Sequence, residues 1–169
     1  MKPNGQVLAR HFDSSFWVRP EGKCTFMMSP GIKSAVEHEI DRSAGKTAIF
    51  FDLEACTGMD STFMGMLAGV SMKLKKAGGE MPIIIEPGEK NQSSLEELGL
   101  GHLMEIKPQE GDWKDRLDEI RSGLECLDSK NGPGREDHIL ECHENLCDAD
   151  DANNTRFESV IEVLRASGK

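Results

Sequence analysis

The sequence has little positive charge and few aromatic residues. Tyrosine is absent, and 20 Lys and Arg stand against 30 Asp and Glu, which gives a formal net charge of -10. Phosphate backbones and anionic membrane surfaces are bound by clustered Lys and Arg. This charge balance therefore argues against a protein that binds nucleic acid or an anionic membrane.

Long apolar runs are also missing. Residues 1–6 contain no apolar core of a signal peptide, and no later run is long enough to span a bilayer. Five cysteines, an odd number at irregular spacings, indicate reduced thiols rather than a disulfide framework. These absences predict a soluble, cytoplasmic protein without membrane insertion.

The most informative stretch is an apolar run that gives way to a helical pattern across a short acidic turn. Ala48 to Leu53 is almost entirely apolar and rich in Ile and Phe, which is typical of a strand buried on both faces. From Phe63 to Leu74, apolar residues recur at the spacing of one helix face. The sequence therefore predicts a buried strand followed by an amphipathic helix.

Three residues that favour helix starts, Asp60, Ser61 and Thr62, lie at this turn. We assign the N-cap to Asp60, because a carboxylate also complements the positive end of the helix dipole. The Ser61 hydroxyl is then expected at the first helical position, exposed and beside free backbone N–H groups. Such a position suits a group that gains and loses a phosphate.

An apolar strand ending in Asp-Leu, a short loop and Asp60-Ser61-Thr62 at a helix start resemble the STAS domain of anti-sigma factor antagonists. In that family, a partner kinase phosphorylates the serine directly after the aspartate. The resemblance implies that Ser61 is the phosphorylation site, with Asp60 as its flanking carboxylate and Thr62 as the second hydroxyl. Phe63 departs from the family pattern, which usually has glycine there, and its bulk alters access for a kinase.

The order of elements agrees with this resemblance. An N-terminal strand pair and alternating strands and helices indicate an α/β fold, with a small mixed β-sheet and helices packed on one face. Turn-forming residues at 130–134 mark a boundary between a STAS-like domain, 1–130, and a C-terminal extension, 131–169. Two apolar stripes in the extension predict a helical hairpin, which either docks on the domain or pairs with a second copy as a homodimer.

A partner-binding surface is predicted on the helix that follows Ser61. Its small residues form a flat strip away from the apolar face, with one soft methionine on the strip and two more beside it. Docking of a partner and packing of the hairpin both explain this strip, and the two predict opposite burial. The predicted contact residues are Asp60, Thr62, Met59, Met64, Gly65, Ala68 and Met72.

The resemblance implies a regulatory binding module rather than an enzyme. Such a protein would bind an anti-sigma factor that is itself a serine kinase, and phosphorylation of Ser61 would release it. A phosphate adds about -1.5 to -2 charges, which a helix N-terminus tolerates but a partner docked over the turn opposes. A serine phosphatase would restore binding, and the protein itself is expected to need no cofactor.

Two other functions are open at this stage. Domains of this family also occur as small cytosolic subunits of lipid ABC transporters, which would associate constitutively with an ATPase. A nucleotide hydrolase is disfavoured, although Gly45-Lys46-Thr47 looks like the end of a phosphate loop. The earlier glycine of that motif would fall at Ile40, and a strand rather than a helix is predicted after the Lys-Thr pair.

Metal and catalytic sites are not predicted. Cys142, His143 and Cys147 lack the paired Cys-x-x-Cys that would complete four ligands, so we interpret the cysteines as buried thiols. The acidic turn at 148–154 lacks the glycine and final Glu of a calcium loop. Asp52 and Glu54 have no histidine near them in sequence, so no catalytic arrangement is evident.

Overall fold

The computed structural model describes residues 5–127 and 135–167, so the turn predicted at 130–134 lies outside the described residues. None of the helices in these ranges is both long and apolar enough to cross a membrane. The strands are β1 (Gln6–Phe12), β2 (Ser15–Cys24), β3 (Ala48–Asp52), β4 (Cys56–Met59), β5 (Ile83–Ile85), β6 (Glu105–Ile106) and β7 (Glu125–Cys126). The helices are α1 (Ser29–Ser43), α2 (Ser61–Lys76), α3 (Glu89–Glu97), α4 (Leu117–Ser122), α5 (Arg135–Ala149), α6 (Ala152–Arg156) and α7 (Glu158–Ser167).

The described strands form one mixed sheet in the order β6-β5-β3-β2-β1-β7, with β4 paired to β2. β3 is parallel to both β2 and β5, and β5 is parallel to β6. β1 is antiparallel to β2 and to β7. The predicted N-terminal strand pair is present and the central strands are parallel, which confirms the mixed-sheet α/β fold.

Alternate residues of the central strands face opposite sides of the sheet. Val18 and Phe51 are fully buried in the larger core, which includes the apolar faces of α1 and α2. Trp17 and Phe50 lie on the other side, where their rings stack with centroids 4.2 Å apart and pack with Ile120 of α4. Helices cover one face as predicted, and α4 adds a smaller cover on the other.

The C-terminal residues form the predicted helical hairpin. α5 lies along α2 and buries Cys142, Leu146 and Ala149 in the larger core, while α7 packs against α5. In α6, the Asn153 amide donates hydrogen bonds to the carbonyl oxygens of Leu98 at 3.0 Å and Leu146 at 2.8 Å. These bonds hold the turn of the hairpin on the domain. Of the two predicted arrangements, the structure shows the hairpin docked on its own chain.

Candidate functional site

The start of α2 is fixed by the Asp60 side chain, as the sequence predicts. One carboxylate oxygen accepts the Phe63 backbone N–H at 2.7 Å, which is the N-cap hydrogen bond. The other accepts the Phe26 backbone N–H at 2.9 Å, and the Asp60 N–H bonds to the Cys24 carbonyl at 3.0 Å. The cap therefore joins the helix start to the end of β2, so that the neighbouring Ser61 has a defined position.

Ser61 is half-buried, not exposed as its sequence position predicts. Its hydroxyl oxygen lies 2.8 Å from Nε2 of His143 on α5. Nδ1 of His143 lies 2.8 Å from the Ile139 carbonyl oxygen. Because a carbonyl can only accept, Nδ1 carries a proton, and in the neutral form of the ring Nε2 then accepts the Ser61 hydroxyl. The expected exposure was wrong because α5, distant in sequence, covers the helix start.

The predicted contact strip on α2 is covered by the same helix. A Cβ on Gly65 would collide with the backbone carbonyl of Cys142, so the two helices approach at this point as only glycine allows. The Asn145 amide donates a hydrogen bond to the Gly65 carbonyl at 3.3 Å and also lies against Gly69. Hairpin packing, rather than an open strip, is therefore the arrangement that the structure shows.

The predicted contact residues differ in exposure. Those under α5 or within the core are buried, and those at the helix start or along its edge are half-buried. The buried residues are Thr62, Met64, Gly65 and Ala68, and the half-buried ones are Met59, Asp60 and Met72.

A second hydrogen-bonded pair lies nearer the N-terminus of α5. Nε2 of His138 lies 2.7 Å from the Ser29 hydroxyl at the start of α1, and both side chains are buried. Nδ1 of His138 is the one buried side-chain nitrogen or oxygen without a hydrogen bond among the described residues. Burial, with a smaller effect of Lys33, lowers the pKa of His138 below its usual value. Lys33 also forms an ion pair of 2.8 Å with Glu141 of α5.

Asp52, at the end of β3, is fully buried and ion-paired. Arg19 of β2 approaches it at 2.8 Å, and Arg121 of α4 approaches it at 2.7 Å. Burial alone would raise the pKa of the Asp52 carboxyl, but the hydrogen bonds from Arg121 and Arg19 outweigh it, so the pKa lies below its usual value. Both carboxylate oxygens accept guanidinium N–H groups, which gives Asp52 a structural role joining β2, β3 and α4.

The structure also locates the cysteines and the Lys46-Thr47 pair: Cys142 is buried as predicted, whereas Cys147 is half-buried. All five cysteines are free. Across 5–127 and 135–167, the structure has no group of three His, Cys, Asp or Glu side chains that could hold a metal ion. Lys46 and Thr47 are followed directly by β3 rather than by a helix, unlike the lysine of a phosphate loop.

The fold agrees with a comparison of the sequence with known families. The profile of the STAS domain matches residues 6–113. The chain belongs to the STAS domain family. No curated protein matches it.

Solved structures with the same fold include proteins described as anti-sigma factor antagonists. TM1081 of Thermotoga maritima has 19% identity and a TM-score of 0.54, over 67% of this chain and 92% of its own. The antagonist from Mycobacterium paratuberculosis has 21% identity and a TM-score of 0.53, over 71% and 97%. SpoIIAA of Bacillus, in its unphosphorylated form, has 18% identity and a TM-score of 0.51, over 68% and 96%. These matches cover nearly all of each relative, so the shared fold is the STAS domain.

Proposed function

We propose that this STAS protein is a regulatory binding module of the anti-sigma factor antagonist type, switched by phosphorylation of Ser61. The observation that carries the proposal is the position of Ser61, which is the first residue of α2 and directly follows its N-cap, Asp60. This is the position at which the family resemblance places the phosphorylated serine. The partner is proposed to be an anti-sigma factor with serine kinase activity, and a serine phosphatase reverses the modification.

The switch is electrostatic. A phosphate on Ser61 would add about -1.5 to -2 charges beside the Asp60 carboxylate. Within the domain, the helix N-terminus stabilises this charge, so the fold of the STAS domain is expected to survive. A partner docked over the turn would have to bury the same charge, and binding would be lost.

The proposed partner surface is the helix start and the strip along α2. Asp60, Met59 and Met72 are accessible at its edges, whereas Gly65 lies under α5 and Ala68 is buried. We propose a STAS-like unit at 1–130 and an extension at 131–169 that modulates access to this surface. We propose that this switch operates in the cytoplasm, because the partner kinase would need ATP. Pairing of two copies through the C-terminal helices stays a prediction.

Affinity retention from a lysate of the source organism tests this function. The tagged wild type, Ser61→Asp and Ser61→Ala are compared after circular dichroism has shown equal folding. We expect the wild type and Ser61→Ala to retain a serine kinase of the anti-sigma type, and Ser61→Asp to lose it. Retention of a transporter ATPase by all three variants would instead support a constitutive transport subunit.

A further inference from the structure

We infer that α5 is a displaceable cover. It occupies a helix-binding surface on α2 of its own chain, and the partner binds the same surface after α5 has moved away. The inference deepens the proposed function and rests on it for the identity of the competitor. Displacement of α5 itself is testable without any partner. Three features of the contact support it.

The surface on α2 is shaped to receive a helix. Gly65 and Gly69 are one helical turn apart on one face of α2, and both lack the Cβ that would collide with α5. The backbone of α5 reaches α2 at Cys142, and the Asn145 amide bonds to the Gly65 carbonyl at 3.3 Å. Small residues allow such close approach between helices, and the surface is therefore specific for a helix rather than for an extended segment.

The contact is more polar than the core beneath it. α5 contributes three apolar residues to the core, Cys142, Leu146 and Ala149, whereas α2 contributes a continuous apolar face. Other bonds of α5 run through polar side chains, including His143 with Ser61. Elements with fewer buried apolar contacts open locally at lower free energy than the core. α5 can therefore detach from α2 while the sheet and α2 stay folded.

The family match does not extend to α5. The family match ends at residue 113, well before Arg135, where α5 begins. TM1081 is matched over 92% of its own length by 67% of this chain, and the Mycobacterium antagonist over 97% by 71%. The residues that the family profile matches therefore end before α5, and about two thirds of this chain is enough to cover nearly all of each relative.

The contacts of α5 define the partner that would replace it. Such a partner presents a helix with a small residue or bare backbone opposite Gly65, as Cys142 does. It carries a hydrogen-bond acceptor opposite the Ser61 hydroxyl, and a carboxylate that pairs with Lys33, as Glu141 does at 2.8 Å. An amphipathic helix of the anti-sigma kinase with an acidic residue at the edge of its contact face fits this description.

Modification of Ser61 requires the cover to open. With the Ser61 hydroxyl oxygen 2.8 Å from Nε2 of His143, a phosphate group on that oxygen has no space while α5 is docked. A kinase active site likewise has no access to a half-buried hydroxyl bonded to a buried imidazole. Opening of α5 therefore precedes phosphorylation, and the phosphate then prevents α5 from returning.

The native cysteines provide the test. Cys142 lies on the face of α5 that packs against α2, and burial raises its thiol pKa to about 12, whereas Cys24 and Cys56 are buried in the central core. Alkylation by N-ethylmaleimide is followed for each thiol by peptide mass spectrometry, with exposed Cys126 as the reference. We expect Cys142 to be alkylated faster than the two core thiols. In His143→Ala, the alkylation rate of Cys142 should rise roughly five- to tenfold, and the rates of the core thiols should not change. Equal rates for Cys142 and the core thiols would overturn the inference, because α5 would then open only on global unfolding.

An engineered disulfide between α2 and α5 tests whether α5 must move for the partner to bind. An ideal Cβ at Gly69 lies 3.1 Å from Asn145 Cγ. The double variant Gly69→Cys/Asn145→Cys can therefore approach the Cβ to Cβ separation of about 3.5–4.5 Å that a disulfide needs. The oxidised form should lose Cys142 alkylation and retention of the Ser61-dependent partner, and reduction of the same sample should restore both. Partner retention by the oxidised form would overturn competition by α5, whereas retention of no protein by any form would refute the proposed function and leave the alkylation result standing.

Discussion

The hydroxyl oxygen of Ser61 lies 2.8 Å from Nε2 of His143, although 82 residues separate the two in sequence. The candidate phosphate acceptor and the helix that covers it are therefore joined by a direct hydrogen bond. This bond links the charge on Ser61 to the position of α5.

A negative charge at Ser61 should release α5. In Ser61→Asp, a carboxylate would face Nε2 of His143, and neither group has a proton to donate when the ring is neutral. Loss of the bond and burial of an unpaired acceptor cost about 1–3 kcal/mol, so Cys142 alkylation should rise roughly tenfold or more. Ser61→Ala, which removes the bond without adding charge, should show a smaller rise. An unchanged or slower rate in Ser61→Asp would contradict the link between charge on Ser61 and the position of α5.

A single methyl group at Gly65 should also displace α5. The added Cβ of Gly65→Ala would collide with the Cys142 carbonyl, although Ala favours an isolated helix over Gly by about 1 kcal/mol. We expect faster Cys142 alkylation with the core thiols still protected. Gly101→Ala is the matched control, because a Cβ there meets no atom within 4 Å. Slow alkylation in Gly65→Ala would show that the helices separate slightly without opening.

Acid should loosen the cover through His138. Its folded pKa is lowered, so below about pH 6.5 the open state binds a proton more readily than the docked state, and docking weakens as the pH falls. The charged groups that act on this ring are Lys33, Glu141 and Asp60. The ratio of Cys142 to Cys126 alkylation should rise between about pH 7.5 and 5.5, the range in which histidine titrates. His138→Gln should flatten this rise, and a ratio that stays as steep in the variant would assign the pH dependence to another group.

The ion pairs of Asp52 should matter for stability and not for the switch. Asp52→Asn would leave the guanidinium groups of Arg19 and Arg121 without their buried carboxylate, at a cost of about 3–5 kcal/mol in the free energy of unfolding. Glu125→Gln is the contrasting control, because its pair with Arg10 is 3.9 Å long and exposed. That change should cost less than about 1 kcal/mol in urea unfolding. Equal costs for both variants would contradict the structural role of Asp52.

The local signals in the sequence predicted the centre of the fold correctly. The apolar run at 48–53 and the helical spacing after Phe63 identify β3 and α2, because burial imposes those periods on neighbouring residues. Asp60 was identified as the N-cap because a cap bonds to a backbone N–H only three residues away. The connection called a short loop contains β4, whose Cys-Thr-Gly-Met sequence has no strand alternation and pairs with β2 only through the tertiary fold.

Long-range contacts had no signal in the sequence. Nothing near His143 in the sequence indicates that its ring meets Ser61. Its closeness in sequence to Cys142 and Cys147 suggests only a metal site, which the missing ligands exclude. Arg121 likewise reaches Asp52 across 69 residues. Both contacts depend on how helices pack against the sheet, which periodicity and capping residues do not encode. The strip on α2 was identified from its small residues, but only the structure could show α5 upon it.

The most direct test of the central claim is to map phosphate on the protein recovered from its native cells. Intact-mass and peptide mass spectrometry would be applied to protein purified from growing and from starved cultures in the presence of phosphatase inhibitors. The account predicts a single phosphate on Ser61 whose occupancy changes between conditions and disappears in Ser61→Ala. Absence of phosphate from Ser61 under every condition, with the partner still bound and released, would contradict it.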